Sequence, residues 1–204
     1  MKNIRIKYIV SIALASMLVI LSSCEKWLDI NEDPNNPTSV PVSQLLTTVE
    51  IDLAGSLGSS VGGLSGYTSA TVHHMFQRGN TAQFYDLQGT DFEVVTPWNI
   101  MYSRLLTGIR QIVDLGTASE GNEDWHYVGI SQIMKAYTFS LLVDVWGDVP
   151  YTEANQGAEL RAPLYENGQS IYPQLFQMID DGLTNLDKES FLSPGSDDII
   201  YQRT

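Results

Sequence analysis

The chain has 204 residues, enough for one domain or at most two with a real buried core, which excludes a peptide or minidomain. Hydrophobic residues make up 43% and charged residues 17%, far from the hydrophobic poverty of disordered chains. From residue 24 onward, 8 Lys and Arg stand against 24 Asp and Glu, a surface that repels phosphate backbones and excludes nucleic acid as an expected partner.

Lys2, Arg5 and Lys7 precede an uncharged apolar run of 14 residues, Tyr8 to Leu21. A membrane-spanning helix needs about 20, so residues 1–23 read as an export signal rather than a span. Leu21-Ser22-Ser23-Cys24 resembles a bacterial lipobox, with cleavage before Cys24 and a diacylglycerol on its thiol. Cys24 is the one cysteine of the chain, so no intramolecular disulfide can form, and lipidation with palmitate-type acyl chains is its evident use. Residues 24–38 then form a lipidated tether. Asp29, Asn31 and Asp33 alternate as calcium ligands do, but an EF-hand loop needs Gly and Glu where Pro34 and Val40 stand, so Asx turns account for the stretch.

From residue 39 the pattern is helical. Ser39 can cap a helix through Leu53, with Val42, Leu45, Leu46, Val49 and Leu53 on one face. A Gly-rich join leads to a second helix near Leu64 to Gln77, in which Gly62 and Gly66 would admit a close backbone. Residues 78 to 96 lack helical period and read as a long loop, a length at which loops are usually functional. Thr96 as cap and Pro97 in the first turn predict the start of a third helix, whose stripe of Trp98, Met101, Tyr102, Leu105, Ile109, Ile112 and Val113 stops at Gly116. A fourth helix is expected from Asn122 to Trp146, acidic at its start and apolar on nearly every side from Tyr137 onward, more than four neighbours can cover. A loop through Pro150 and Pro163 precedes a fifth helix capped by Ser170, with Ile171, Leu175, Met178, Ile179, Leu183 and Leu186 as its stripe.

Strong strand runs are missing, so the fold class is all-α, built as degenerate tetratricopeptide-like helical pairs with long loops. Trp125, Val128 and Gly129 match the opening of that repeat, and the later repeat positions do not.

The lipobox, the tether Leu28 to Asn35, the Trp98-x-x-x-Tyr102 helix, the block from Asp144 to Ala154 (Asp-Val-Trp-Gly-Asp-Val-Pro-Tyr-Thr-Glu-Ala) and Ile171-Tyr172-Pro173 together resemble the SusD/RagB nutrient-binding outer-membrane lipoproteins. The block at Asp144 is the most specific of these. The resemblance runs along the whole chain but corresponds to the N-terminal part of that family, so residues 39–204 are expected to be a truncated SusD-like domain. It implies a lipid-anchored protein on the cell exterior that captures oligosaccharide or peptide nutrients and delivers them to a SusC-like TonB-dependent transporter. No cofactor is implied beyond the lipid on Cys24. Family ligand sites are aromatic platforms on loops, which places candidates between the second and third helices: Arg78, Asn80, Phe84, Tyr85 and Trp98. Aromatic faces cover the apolar faces of sugar rings while Arg and Asn donate to hydroxyls. Trp98 also belongs to a helical stripe, where core packing competes with a binding role.

Other classes leave weaker traces. Asp144 and Asp148 would share a helical face as a glycosidase pair only if the helix ran through Gly147. Tandem His73-His74 on a helix would point about 100° apart, one packed and one exposed, and no HExxH or second cysteine accompanies them to hold a metal. A surface adhesin shares the anchor and differs only in lacking ligand capture.

Overall fold

The computed structural model describes residues 40–58, 63–74, 91–157 and 160–202, with the backbone alone for 91–94. Its elements all lie in one compact unit, Pro41–Thr204. The tether with its rejected calcium pattern, Cys24 and Gly62 fall outside the described residues.

Helix α1 (Val42–Gly58) buries the expected stripe of Val42, Leu45, Leu46, Val49 and Leu53. The same face carries two acids that the stripe omits, Glu50 and Asp52, both buried. Asp52 is bridged by Arg104 at 2.6 Å, and Glu50 Oε2 accepts a hydrogen bond from the Ile199 amide at 2.9 Å. Helix α2 (Leu64–Thr71) ends well before Gln77, and His73, at φ 60°, lies in the turn beyond it. Both His73 and His74 are exposed, which corrects the expectation of one packed and one exposed side chain on a helix.

The third expected helix starts earlier than Thr96. Helix α3 (Asp91–Asn99) takes in the last residues of the expected loop and holds Pro97 in its interior. Proline lacks the N–H that would reach the carbonyl of residue 93, and its ring crowds that carbonyl. The rod then widens into a π-helical segment, Ile100–Leu105, where the Leu106 amide donates to the Met101 carbonyl five residues back, before α4 (Leu106–Gly116) resumes. Insertions of this kind are frequent at functional sites.

Helix α5 (Trp125–Trp146) begins after the acidic residues rather than at Asn122. Asp124 does not cap it; its Oδ1 accepts from the Leu192 amide at 3.0 Å and holds the C-terminal segment instead. Phe139, Leu142 and Val143 are buried, Leu141, Val145 and Trp146 are half-buried and Tyr137 is 47% exposed, so part of the apolar half of α5 is left uncovered by the described residues, as its composition predicts.

Helix α6 (Gly168–Leu186) is capped by Asn167, whose side chain accepts from the Gln169 amide, and Pro173 again stands inside the helix. The most extensive packing in the unit joins α5 to α6, antiparallel, with Gly129 against Gly182 at one end and Val143 against Gly168 at the other. Helix α4 lies against α5, and α1 against α4, where Val49 meets Gly108. These stacked antiparallel helices are the expected all-α architecture. A minimal ladder, β1 (Val149–Pro150) with β2 (Tyr165–Glu166), pairs Val149 with Glu166 and Pro150 with Tyr165.

Candidate functional site

The block from Asp144 to Asn155 is a scaffold in which most side chains have a structural partner. Gly147 ends α5 with φ 79° and ψ −107°, a conformation that side chains resist. The helix therefore stops short of Asp148, and Asp144 and Asp148 do not share a helical face. Asp144 accepts from the Tyr172 hydroxyl, a bond that raises the Tyr172 pKa. Asp148 Oδ1 accepts from Asn167 Nδ2 at 3.2 Å and from the Gly168 amide at 3.4 Å, tying the loop to the start of α6. Val149 is fully buried, and the Pro150 carbonyl accepts from the Tyr102 hydroxyl at 2.7 Å. Glu166 Oε1 receives both the amide and the hydroxyl of Thr152, at 2.6 and 2.7 Å, and Glu153 Oε2 receives the Leu164 amide at 2.8 Å. A pair of loops is thereby fixed without a large sheet.

What these loops and the end of α3 frame is a shallow depression of about 450 Å³, lined by Val95, Trp98, Asn99, Trp146, Asp148 and Tyr165. Trp98 stands on the last turn of α3, its ring 5.3 Å from that of Trp146 in an edge-on arrangement and 4.6 Å from that of Tyr102. Tyr102 continues inward to Phe139 at 6.3 Å, and Phe139 to Tyr151 at 4.8 Å, so a chain of aromatic rings runs from the surface into the core. Burial and the neighbouring Tyr165 push the Tyr102 hydroxyl far above its ordinary pKa, keeping it a donor to Pro150. Tyr165 is 65% exposed at the rim.

Such a depression can accept a flat, partly apolar ligand face. Aromatic rings supply apolar area at little cost in side-chain freedom, and Asn99 and Asp148 supply an amide and a carboxylate for hydroxyls. Of the residues singled out in the sequence, Trp98 lines this depression and is half-buried, its ring against Tyr102. Arg78, Asn80, Phe84 and Tyr85 lie outside the described residues. Trp146 and Tyr165 were not singled out as site residues, although one closes the motif block and the other occupies a proline-flanked loop where an aromatic has no core to fill.

The sequence matches the SusD-like family model, described as starch-binding and associating with the outer membrane, over residues 34–204. Among solved structures, a SusD/RagB family protein from Bacteroides thetaiotaomicron VPI-5482 superposes with a TM-score of 0.66 at 25% identity, covering 80% of this chain and 34% of that one. A chitin-binding protein superposes with a TM-score of 0.59 at 22% identity, covering 74% of this chain and 33% of that one. The chain thus spans about a third of the length of either structure. No curated protein matches it.

Proposed function

The chain belongs to the SusD-like family of starch-binding proteins associating with the outer membrane, and on that footing we propose that it is a non-catalytic surface lipoprotein that captures neutral oligosaccharides. The observation that carries the reading is the depression at Trp98, Trp146 and Tyr165, which offers ring faces and two hydrogen-bonding side chains. The binders named for its relatives, starch for the family and chitin for one neighbour, are both neutral polymers of glucose-type sugars. Pyranose rings of that kind present C–H faces to aromatic rings and hydroxyls to Asn and Asp. The acidic surface does not oppose an uncharged ligand.

The anchor and the destination complete the proposal. Cys24, directly after the apolar run, carries the lipid that holds the protein on the outer membrane facing the exterior, and captured glycan passes to a SusC-like TonB-dependent transporter. Support for these steps lies in the lipobox-like sequence and in family membership. Among the described residues lining the depression Asp148 is the one carboxylate, and it is engaged with Asn167 and Gly168.

Native gel electrophoresis of the full chain through starch or chitin oligosaccharide tests the reading. Retarded migration, lost on Tyr165→Ala and without sugar release, is the expected result. Migration unaffected by every neutral glycan tried, or turnover of any of them, would overturn it.

A further inference from the structure

A second concavity, of about 430 Å³, opens between α4, α5 and the loop that follows β1. Its floor is apolar, from Leu106, Ile109 and Phe139, and its walls bring two cations, Arg110 from α4 and Lys135 from α5, together with one carboxylate, Asp114. In a chain carrying 24 acids against 11 bases, that pairing is conspicuous.

Lys135 forms no ion pair and no hydrogen bond among the described residues. Burial strips water from its ammonium and Arg110 repels it, and both effects lower its pKa. Arg110 is held in place from one side: its Nη1 donates to the Asn155 carbonyl, and its Nε lies 3.5 Å from Asp114 Oδ2. Asn155 is itself strained, at φ 59°, and is fixed by the widened turn of the preceding rod. Its Nδ2 donates to the Tyr102 carbonyl at 2.5 Å and to Thr107 Oγ1 at 3.0 Å, and its buried Oδ1 has no donor among the described residues. The π-helical segment, the left-handed residue and the orphaned acceptor therefore converge on one wall.

Lys135, without a counter-charge among the described residues, and Arg110, whose one ion pair there is the solvent-exposed contact with Asp114 at the cavity wall, define one half of a missing ligand. The other half is polar and ring-shaped. Gln174 lines the cavity with Nε2 already committed to the Ser170 carbonyl, so its Oε1 is available to a hydroxyl, and burial keeps the Tyr151 hydroxyl protonated as a donor. The apolar floor suits the C–H face of a ring, and the volume suits one sugar unit. Repulsion from the acidic surface is damped beyond about 8 Å at physiological ionic strength, whereas the cation pair acts at contact.

We propose that this cavity is a second saccharide site, specific for a sugar unit bearing an anionic group, with Lys135 and Arg110 holding the carboxylate or sulfate ester. The site is separate from the depression at Trp98, and Tyr102 connects the two: its ring touches Trp98 and its carbonyl is bound by Asn155.

Calorimetric titration of the full chain with glucuronate, glucose 6-sulfate, glucose and sodium sulfate tests the assignment. At least one of the two acidic sugars binds about tenfold or more tighter than glucose, and which of them does so names the anionic group. Lys135→Gln abolishes that preference, Lys135→Arg retains it, and Lys135→Gln leaves retardation by neutral glycans at the Trp98 depression unchanged. Arg110→Gln, on a partly exposed side chain, is the companion variant and weakens the same preference. Acidic sugars that bind no tighter than glucose, or a preference that survives Lys135→Gln, would refute the site. Sulfate alone binding as tightly as the sugar sulfate would reduce it to a simple anion hole and refute the sugar assignment.

Discussion

Gly129 on α5 and Gly182 on α6 face each other so closely that a Cβ on Gly129 would lie 2.7 Å from the Gly182 carbonyl oxygen, and one on Gly182 would lie 3.0 Å from the Gly129 carbonyl. The atoms in the way are backbone, so they cannot rotate aside. Gly129→Ala must push two long helices apart at their most extensive contact, against a helix-propensity gain of about 1 kcal/mol. We expect net destabilisation of about 1–3 kcal/mol, read as a lower urea midpoint. Gly55→Ala is the control: a Cβ there meets nothing within 4 Å, so the propensity gain stands alone and the midpoint rises.

Glu50 sets a pH dependence on the same footing of burial. It is 2% exposed and near Asp198, itself 5% exposed, with Asp197 adding to the negative charge. Burial raises its pKa from 4.5 to about 7, partly offset by the Ile199 amide. The folded state thus holds a proton that the unfolded chain releases above pH 4.5. The contribution is fully present below the unfolded value and is lost as pH rises through about 7, amounting to no more than about 3 kcal/mol. Asp197 works in the opposite sense at lower pH: burial alone would raise its pKa, but the Tyr127 hydroxyl and the Gly195 amide outweigh it and hold the pKa below the ordinary value, and its stabilisation is lost on acidification through that range. Glu50→Gln should therefore flatten the stability curve between pH 4.5 and 7 and leave the acid limb intact. An unchanged slope in that window would show that the carboxyl does not hold its proton.

Much of the fold is legible in the sequence because its apolar stripes are long and regular. The faces of α1 and α4 are read from spacing alone; on α6 Ile171 and Leu175 are buried as expected, but Leu183 of the same stripe is 51% exposed while Gly182 and Asn185 are buried, because Gly182 is where α5 comes close. Gly129 already appears in the repeat-like Trp125, Val128, Gly129 triplet. Two helix starts are expected too late. Thr96 and Ser170 read as caps just ahead of Pro97 and Pro173, and both helices begin earlier. In the structure each proline is six or five residues beyond its helix start, and the carbonyl it leaves unpartnered belongs to the first turn, residues 93 and 169, where the ladder is least committed. Glu50 shares a face with Leu46 and Leu53, so its burial could have been suspected, but charge alone argues for solvent. The site is less legible than the fold. Trp98, Trp146 and Tyr165 are far apart in the chain, and only the Gly147 turn and the β1–β2 pairing bring them to one depression.

Attachment is testable independently of binding. Cys24 is the chain's one thiol and follows Leu21-Ser22-Ser23 directly, so Cys24→Ala removes the only group that can carry the thioether-linked lipid. Two or three acyl chains, at about 0.8 kcal/mol per buried CH₂, anchor a protein without help from its surface. The variant should leave the carbonate-washed membrane fraction and lose metabolic labelling by palmitate. Retention in that fraction would show that another segment holds the protein there.

Packing and binding can be separated within the aromatic depression. Tyr165 is 65% exposed and its ring supports no core, so Tyr165→Ala should change stability by less than about 0.5 kcal/mol while weakening glycan binding by about 1–2 kcal/mol. Trp98 differs: its ring packs at a tilt against Tyr102 and meets Trp146 edge-on, so Trp98→Ala should cost about 2–3 kcal/mol of stability in addition to a similar loss of binding. Tyr102→Phe keeps the ring beneath Trp98 and removes only the hydrogen bond to the Pro150 carbonyl, an acceptor left buried without its donor. It should lower the urea midpoint by the equivalent of about 1–2 kcal/mol and affect binding through the position of the β1–β2 loop alone. Glycan affinity that falls on Tyr102→Phe as far as on Trp98→Ala would mean that the loop, rather than the aromatic faces, makes the decisive contact.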